Sequence, residues 1–183
     1  MDRAGSSWFY VIPAAVALVA PAEAGATVYL TIAQAQQALF PGAQFVDHPL
    51  ALSDAQRKAI ARAAGAPGYD KVQRAWEVRS GNRRAGWFFV DRVIGKHEFI
   101  TYAVGLLPDG TVRGIEILDY RETYGGEIRN PKWRQQFVGK HPGAALKLDR
   151  DIRNISGATL SSRHVTDGVR RLLATYSMLL AGQ

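Results

Sequence analysis

The chain has 183 residues, 47% of them hydrophobic and 21% charged, which suits one domain with a packed core. Cysteine is absent, so disulfides, thiolate-bound iron–sulfur clusters, a C-x-x-C-H haem site and a cysteine nucleophile are excluded; any electron transfer needs an organic cofactor. The formal charge is +7, but Lys and Arg are scattered and no motif supports a nucleic-acid surface, leaving attraction to acidic partners or a membrane surface as the general reading.

The N-terminus reads as export. Trp8 to Val19 is an apolar stretch, and Ala22-Glu23-Ala24 is a small-x-small cleavage pattern. The apolar run is too short to span a bilayer comfortably. Residues 1–24 are therefore expected to be a signal peptide. An N-terminal anchor is the rival reading, because Asp2 offsets Arg3 and Pro13 interrupts the run. The expected location is the periplasm or the periplasmic face of the inner membrane.

Residues 25–70 are expected to form a helical cover. Ile32, Ala35, Leu39 and Phe40 make one short amphipathic segment, closed by Pro41-Gly42. Ser53 caps a second, with Asp54 in its first turn and Ile60 on its apolar side. His48 has no second ligand at metal spacing and reads as a surface residue.

Residues 71–183 are expected to hold the functional domain. Val72 to Arg79, Gly86 to Val90, Phe99 to Leu107 and Val112 to Leu118 read as strands, joined in part by the turns Gly81-Asn82 and Pro108-Asp109-Gly110. They predict an α+β fold whose antiparallel sheet has about three or four strands, or more, with flanking helices. Phe88, Phe89 and Phe99 are assigned to the core.

The chain's most regular helical pattern comes last. Val165, Val169, Leu172, Leu173, Tyr176, Leu179 and Leu180 recur at three- and four-residue intervals. Just ahead stands Ile155-Ser156-Gly157-Ala158-Thr159-Leu160-Ser161-Ser162. Its hydroxyls cluster at a helix N-terminus, where free N–H groups and the helix dipole favour a phosphate. Ser and Thr before an amphipathic helix are also ordinary caps, and the residue types alone do not separate the two readings.

The full string separates them. S-G-A-T-L-S-S resembles the S-G-A-T-x-T/S signature of the FMN-binding domain family, which includes flavin-carrying subunits of Rnf and Na+-translocating NADH:quinone oxidoreductase complexes and NosR-type proteins. Members also carry a hairpin around an Asp-Gly turn, an E-T-P-G loop and a W-x-x-Q-F helix. This chain has, in that order, Tyr102 to Leu118 around Asp109-Gly110, then Glu122-Thr123-Tyr124-Gly125, then Trp133 to Phe137 after Asn130-Pro131. The resemblance covers roughly Trp76 to Leu180. An ordered series of motifs is far more specific than one four-letter match.

The resemblance implies FMN esterified through its phosphate to the Thr159 hydroxyl, installed by a separate Mg-dependent flavin transferase that uses FAD. It implies a phosphate site from Ser156, Gly157, Ala158, Leu160, Ser161 and Ser162, and ring contacts from Glu122, Thr123 and Tyr124, with Tyr124 standing where members have Pro. Lys140, His141 and Lys147 are further candidates for steadying the phosphate or reduced flavin, although each singly reads as solvated surface; Trp133 reads as a helix anchor. Many members read D-x-D-A-I-S-G-A-T. Here Asp151 is kept, but Arg153 replaces the nearer Asp. The implied role is an electron carrier between a redox donor and acceptor, membrane-bound on at least one side, more than a stand-alone enzyme. A flavin-dependent reductase with its own small-molecule substrate and a flavin-free binding or scaffold domain are the alternatives.

Overall fold

The computed structural model describes residues 29–183, and the signal-peptide or anchor expectation for residues 1–24 lies outside them. In chain order the elements are α1 (Ile32–Leu39), β1 (Gln44–Asp47), β2 (Leu50–Ala51), α2 (Asp54–Ala64), β3 (Val72–Ser80), β4 (Arg83–Ile94), β5 (Phe99–Leu106), β6 (Val112–Tyr120), α3 (Pro131–Arg134) and α4 (Thr159–Leu179). Six antiparallel strands form the sheet, in the order β1-β3-β4-β5-β6 with β2 also on β3. The α+β architecture follows the expectation. The expected helical cover is not wholly helical among its described residues, however, because β1 and β2 sit between the two amphipathic segments and extend the sheet beside β3.

Both helices of that stretch start as their sequences dictate. Thr31 accepts from the Gln34 N–H while the Gln34 side chain caps the Thr31 N–H, and Ser53 and Gln56 repeat the reciprocal arrangement.

The sheet is buried on both faces, which explains why Trp87 to Val90 is continuously apolar rather than alternating. Trp87, Phe89 and Val93 belong to a core shared with α4, together with Ile100, Tyr102, Val104 and Leu106 of β5. Phe88, Val90, Ala103 and Leu118 face the other way, toward Ala35, Leu39 and Phe40 of α1. Phe99 departs from the expected core position. It lies at the end of β5, 40% exposed, with Tyr69 edge-on to its ring and the Arg92 guanidinium over it.

The apolar stripe of α4 lands as its spacing predicts. Val165, Val169, Leu172, Leu173 and Tyr176 are buried against the sheet. One charged residue, Arg171, is buried with them; its guanidinium meets Asp91 of β4 at 2.5 Å and the Pro67 carbonyl at 2.6 Å. Arg170 lies on the neighbouring face and donates to the carbonyls of Ala64 and Leu146. These contacts join α4 to the sheet, to the end of α2 and to the strap that precedes the helix. The first turn of α4 is thereby fixed in space.

Candidate functional site

Trp133 and Gln136 act on the strap between α3 and α4. Asn130 caps α3, with Pro131 in the first helical position, and this short helix presents Trp133 inward. The indole Nε1–H donates to the Arg153 carbonyl at 2.8 Å, and Gln136 Oε1 accepts the Arg153 N–H at the same distance. The W-x-x-Q spacing therefore clamps one residue of the strap through both of its backbone groups. Trp133 is the anchor it was read as. Arg153 contributes backbone to this clamp while its side chain is exposed.

Three segments converge beyond the clamp. The Glu122–Gly125 loop, the 95–98 hairpin tip between β4 and β5, and the start of α4 enclose a cavity of about 400 Å³. Its lining is Lys96, His97, Glu122, Thr123, Tyr124 and Gly157 to Ser161. That volume lies within the range of small-molecule and cofactor sites.

Close packing joins the loop to the helix start. Gly125 has φ +92°, and a Cβ there would fall on the Ala158 Cβ and lie 2.6 Å from the Tyr120 hydroxyl. Tyr120 donates to the Tyr124 carbonyl and sits 3.2 Å from Ser161 Oγ, so one phenol holds both walls. Gly125→Ala is expected to destabilise the fold by about 2 kcal/mol, from overpacking and an unfavourable φ, and to weaken cofactor binding at least tenfold. Thermal unfolding and FMN titration check this. A variant with wild-type affinity would show that the loop does not shape the cavity.

Glu122, expected near the ring, lines the cavity and also braces one of its walls. Its Oε1 accepts the backbone N–H groups of Lys96, His97 (2.6 Å) and Glu98 (3.0 Å), fixing the hairpin tip. Partial burial pushes its carboxyl pKa up, but the three N–H donors outweigh this and hold it below the ordinary value. A depressed folded pKa stabilises the tip fully above the unfolded pKa, about 4.3, and the contribution disappears as pH falls through the lower folded value. Amide exchange at Lys96, His97 and Glu98 should therefore accelerate in that acid window. Glu122→Gln should lose that pH dependence at a cost on the order of 1 kcal/mol. Protection that ignores pH in wild type would contradict the assignment.

The start of α4 presents unpaired donors. The backbone N–H groups of Thr159, Leu160 and Ser161 have no acceptor among the described residues, and the first helical bond there is Ser162 N–H to the Ala158 carbonyl. Ala158 occupies the cap position and supplies no side-chain bond, so the hydroxyls around it are not the helix cap. Gly157, at φ +79° with open space where a Cβ would stand, leaves the approach clear.

The hydroxyls divide by location. Thr159 and Ser161 line the cavity, with Leu160 as an apolar neighbour. Ser156 is exposed and outside the lining. Ser162 is fully buried, with its hydroxyl 2.9 Å from both Asn154 Oδ1 and the Ala158 carbonyl, so its proton is already engaged inside the protein. Tyr124 lines the mouth and is 79% exposed. Lys140, His141 and Lys147 are not among the lining residues; the Lys147 N–H instead closes a turn onto Asp151. The basic groups at the cavity are Lys96 and His97, which the sequence reading passed over. Their only local signal was a basic pair in the turn after β4.

Comparison with known proteins agrees with this geometry. Residues 95–174 match the model of the FMN-binding domain family. The match begins at the hairpin tip and includes every lining residue. Over 79 residues the chain is 40% identical to the C subunit of the Na(+)-translocating NADH-quinone reductase of Pasteurella multocida, covering 34% of this chain and 30% of that protein. Over 88 residues it is 34% identical to the corresponding subunit from Haemophilus ducreyi, covering 39% and 34%. Over 84 residues it is 32% identical to the G subunit of the Na(+)-translocating ferredoxin:NAD(+) oxidoreductase complex of Acetobacterium woodii, covering 41% of each. The match thus spans well under half the length of these relatives. The resemblance read from the motifs is borne out: residues 95–174 match the FMN-binding domain family, and over that part the chain is similar to those subunits.

Proposed function

We propose that this FMN-binding domain holds its cofactor in the cavity at the start of α4, tethered by a phosphoester to Thr159, and relays electrons between redox partners. The observation that carries this reading is the set of three unpaired N–H groups at Thr159, Leu160 and Ser161, which surround a hydroxyl that opens on the same cavity. A phosphodiester retains one negative charge, which such donors and the helix dipole stabilise. Bound FMN supplies reversible one- and two-electron chemistry. The residues of the chain do the rest. Ser161 and the helix N–H groups hold the phosphate, Leu160 and Tyr124 offer apolar and aromatic surface to a ring, and the hairpin tip adds the Lys96 ammonium and the His97 imidazole.

Among the described residues the side-chain hydrogen-bond partner of Thr159 Oγ1 is the Asn154 amide, which is not a base. Attachment therefore requires a separate catalyst, the Mg-dependent, FAD-using flavin transferase. The bond formed is Thr159 Oγ1 to phosphorus, the bond broken is the pyrophosphate P–O of FAD, AMP leaves, and a base of the transferase takes the hydroxyl proton. Among the described residues no helix is long and apolar enough to cross a membrane. With the apolar stretch and cleavage pattern in residues 1–24, we place the domain in the periplasm or on the periplasmic face of the inner membrane, with membrane-bound redox partners.

Intact mass and visible spectrum of protein exported by a host expressing the transferase test this reading. The expected product is yellow, stays yellow in denaturant, and is heavier by one FMN less water. A colourless, unmodified protein would leave the fold as a binding or scaffold domain. Turnover of a quinone or other small molecule by the purified protein alone would make it a reductase.

A further inference from the structure

Thr159 has a polar partner that the motif does not account for. Asn154 stands where D-x-D-A-I-S-G-A-T has Ala, and its Nδ2 lies 3.2 Å from Thr159 Oγ1. The orientation of this amide is settled by chemistry. The Ile155 N–H can only donate, so the atom facing it at 2.8 Å is the acceptor Oδ1, which also receives the Ser162 hydroxyl at 2.9 Å. Nδ2 is therefore directed at Thr159 and can only donate. Thr159 Oγ1 is the acceptor in that bond, and its own proton points away from Asn154.

We propose that Asn154 is a positioning residue for flavin attachment: anchored by Ile155 and Ser162, it fixes the Thr159 side chain and turns the Oγ1 proton toward the cavity. The proposal rests on Thr159 being the tethering residue. Attachment forms the Oγ1–phosphorus bond, breaks the FAD pyrophosphate with loss of AMP, and delivers the proton to a base of the transferase. That base must approach from the open side, because the protein side of Oγ1 is occupied by an N–H. Fixing one rotamer beforehand removes an orientation requirement from the transition state. After attachment the same N–H remains beside the ester oxygen.

Two measurements on the flavin-free full chain test this. The first is the χ1 distribution of Thr159, read from NMR three-bond couplings. One dominant rotamer is expected in wild type and averaging in Asn154→Ala, whereas averaging already in wild type would overturn the proposal. The second is time-resolved intact mass with transferase, Mg and FAD. Asn154→Ala should slow the labelling kcat about tenfold, with the KM for the chain and the reversible FMN affinity near wild type and the variant still folded at the assay temperature. Asn154→Asp keeps both accepted bonds but draws the Thr159 proton onto its carboxylate and places negative charge beside an incoming phosphate, so it should be at least as slow. Labelling of either variant at the wild-type rate, or a change confined to KM, would overturn the positioning role. An unlabelled wild type with a single Thr159 rotamer would instead overturn the tether and leave the side-chain geometry standing.

Discussion

Thr159→Ala is expected to abolish covalent flavin completely while leaving a folded protein that still binds FMN reversibly. The two outcomes separate because two parts of the site act independently. The oxygen proposed to form the ester belongs to one side chain, and Ser161, the other α4 hydroxyl lining the cavity, faces Tyr120 at 3.2 Å rather than standing in as a second acceptor. The donors proposed to hold the phosphate are backbone N–H groups of α4, which the substitution leaves in place. Ala158, not Thr159, is at the cap, so no cap is lost. The fold loses one partly buried hydrogen bond, from Asn154, worth about 1 kcal/mol. What disappears is the tether, and with it the high effective concentration of FMN at its own site. The check is paired: mass and in-denaturant colour for the covalent bond, then flavin fluorescence quenching for the reversible site. An Ala variant that keeps the added mass would move the linkage to another hydroxyl. One that loses even reversible binding would mean the cavity alone does not recognise FMN.

How much of this was legible in the sequence depended on the range of each interaction. β3 to β6 could be read because their apolar patterning and turns are local; the turn at Gly81-Asn82 and that at Asp109-Gly110 set the hairpins. β1 and β2 were hidden between two helical patterns, being only 4 and 2 residues long, and exist because β3 offers them an edge. The order of motifs led to the helix and loop that line the cavity, but their local contacts are fixed by distant partners. Glu122 reads only as a ring contact, and its bonds to the amides 24 to 26 residues earlier have no local signal. That same contact brings Lys96 and His97 to the cavity, and no local pattern announces it. Ser162 is itself expected at the phosphate, and helical rotation turns its hydroxyl into the core. Phe99 reads as core by composition; its position at the end of β5, beyond the reach of α1, leaves it half-open under Arg92.

Arg171 illustrates the same range limit and yields the largest expected loss of stability. A single Arg within an apolar helical stripe reads as a solvated residue, but its partner Asp91 is 80 positions away, and both side chains are only 6% exposed. Asp91 Oδ2 accepts from Arg171 at 2.5 Å and from the Tyr102 hydroxyl at 2.7 Å. Burial pushes the Tyr102 pKa well above its ordinary value, and the nearby Asp91 charge adds to this, so the phenol stays a donor. Gly168 makes the arrangement possible, since a Cβ there would fall on the Tyr102 hydroxyl. Asp91→Ala strips both donors of their acceptor and strands a guanidinium between β4 and α4. The expected penalty is about 3–5 kcal/mol, on the order of 10 °C in melting temperature for a domain of this size. Asp91→Leu combined with Arg171→Met should recover most of the loss, because it removes the buried charges together instead of orphaning one. Melting curves of the single and double variants decide it. A single variant within about 1 kcal/mol of wild type would mean that solvent reaches Arg171. A double variant as weak as the single would mean that the pair supplies more than mutual neutralisation. The consequence for the site is mechanical: the ion pair lies about 18 Å along α4 from Thr159 at roughly 1.5 Å per residue, so loosening it frees the helix whose first turn holds the phosphate. FMN affinity should accordingly fall in Asp91→Ala and return in the double variant, although neither position touches the cavity.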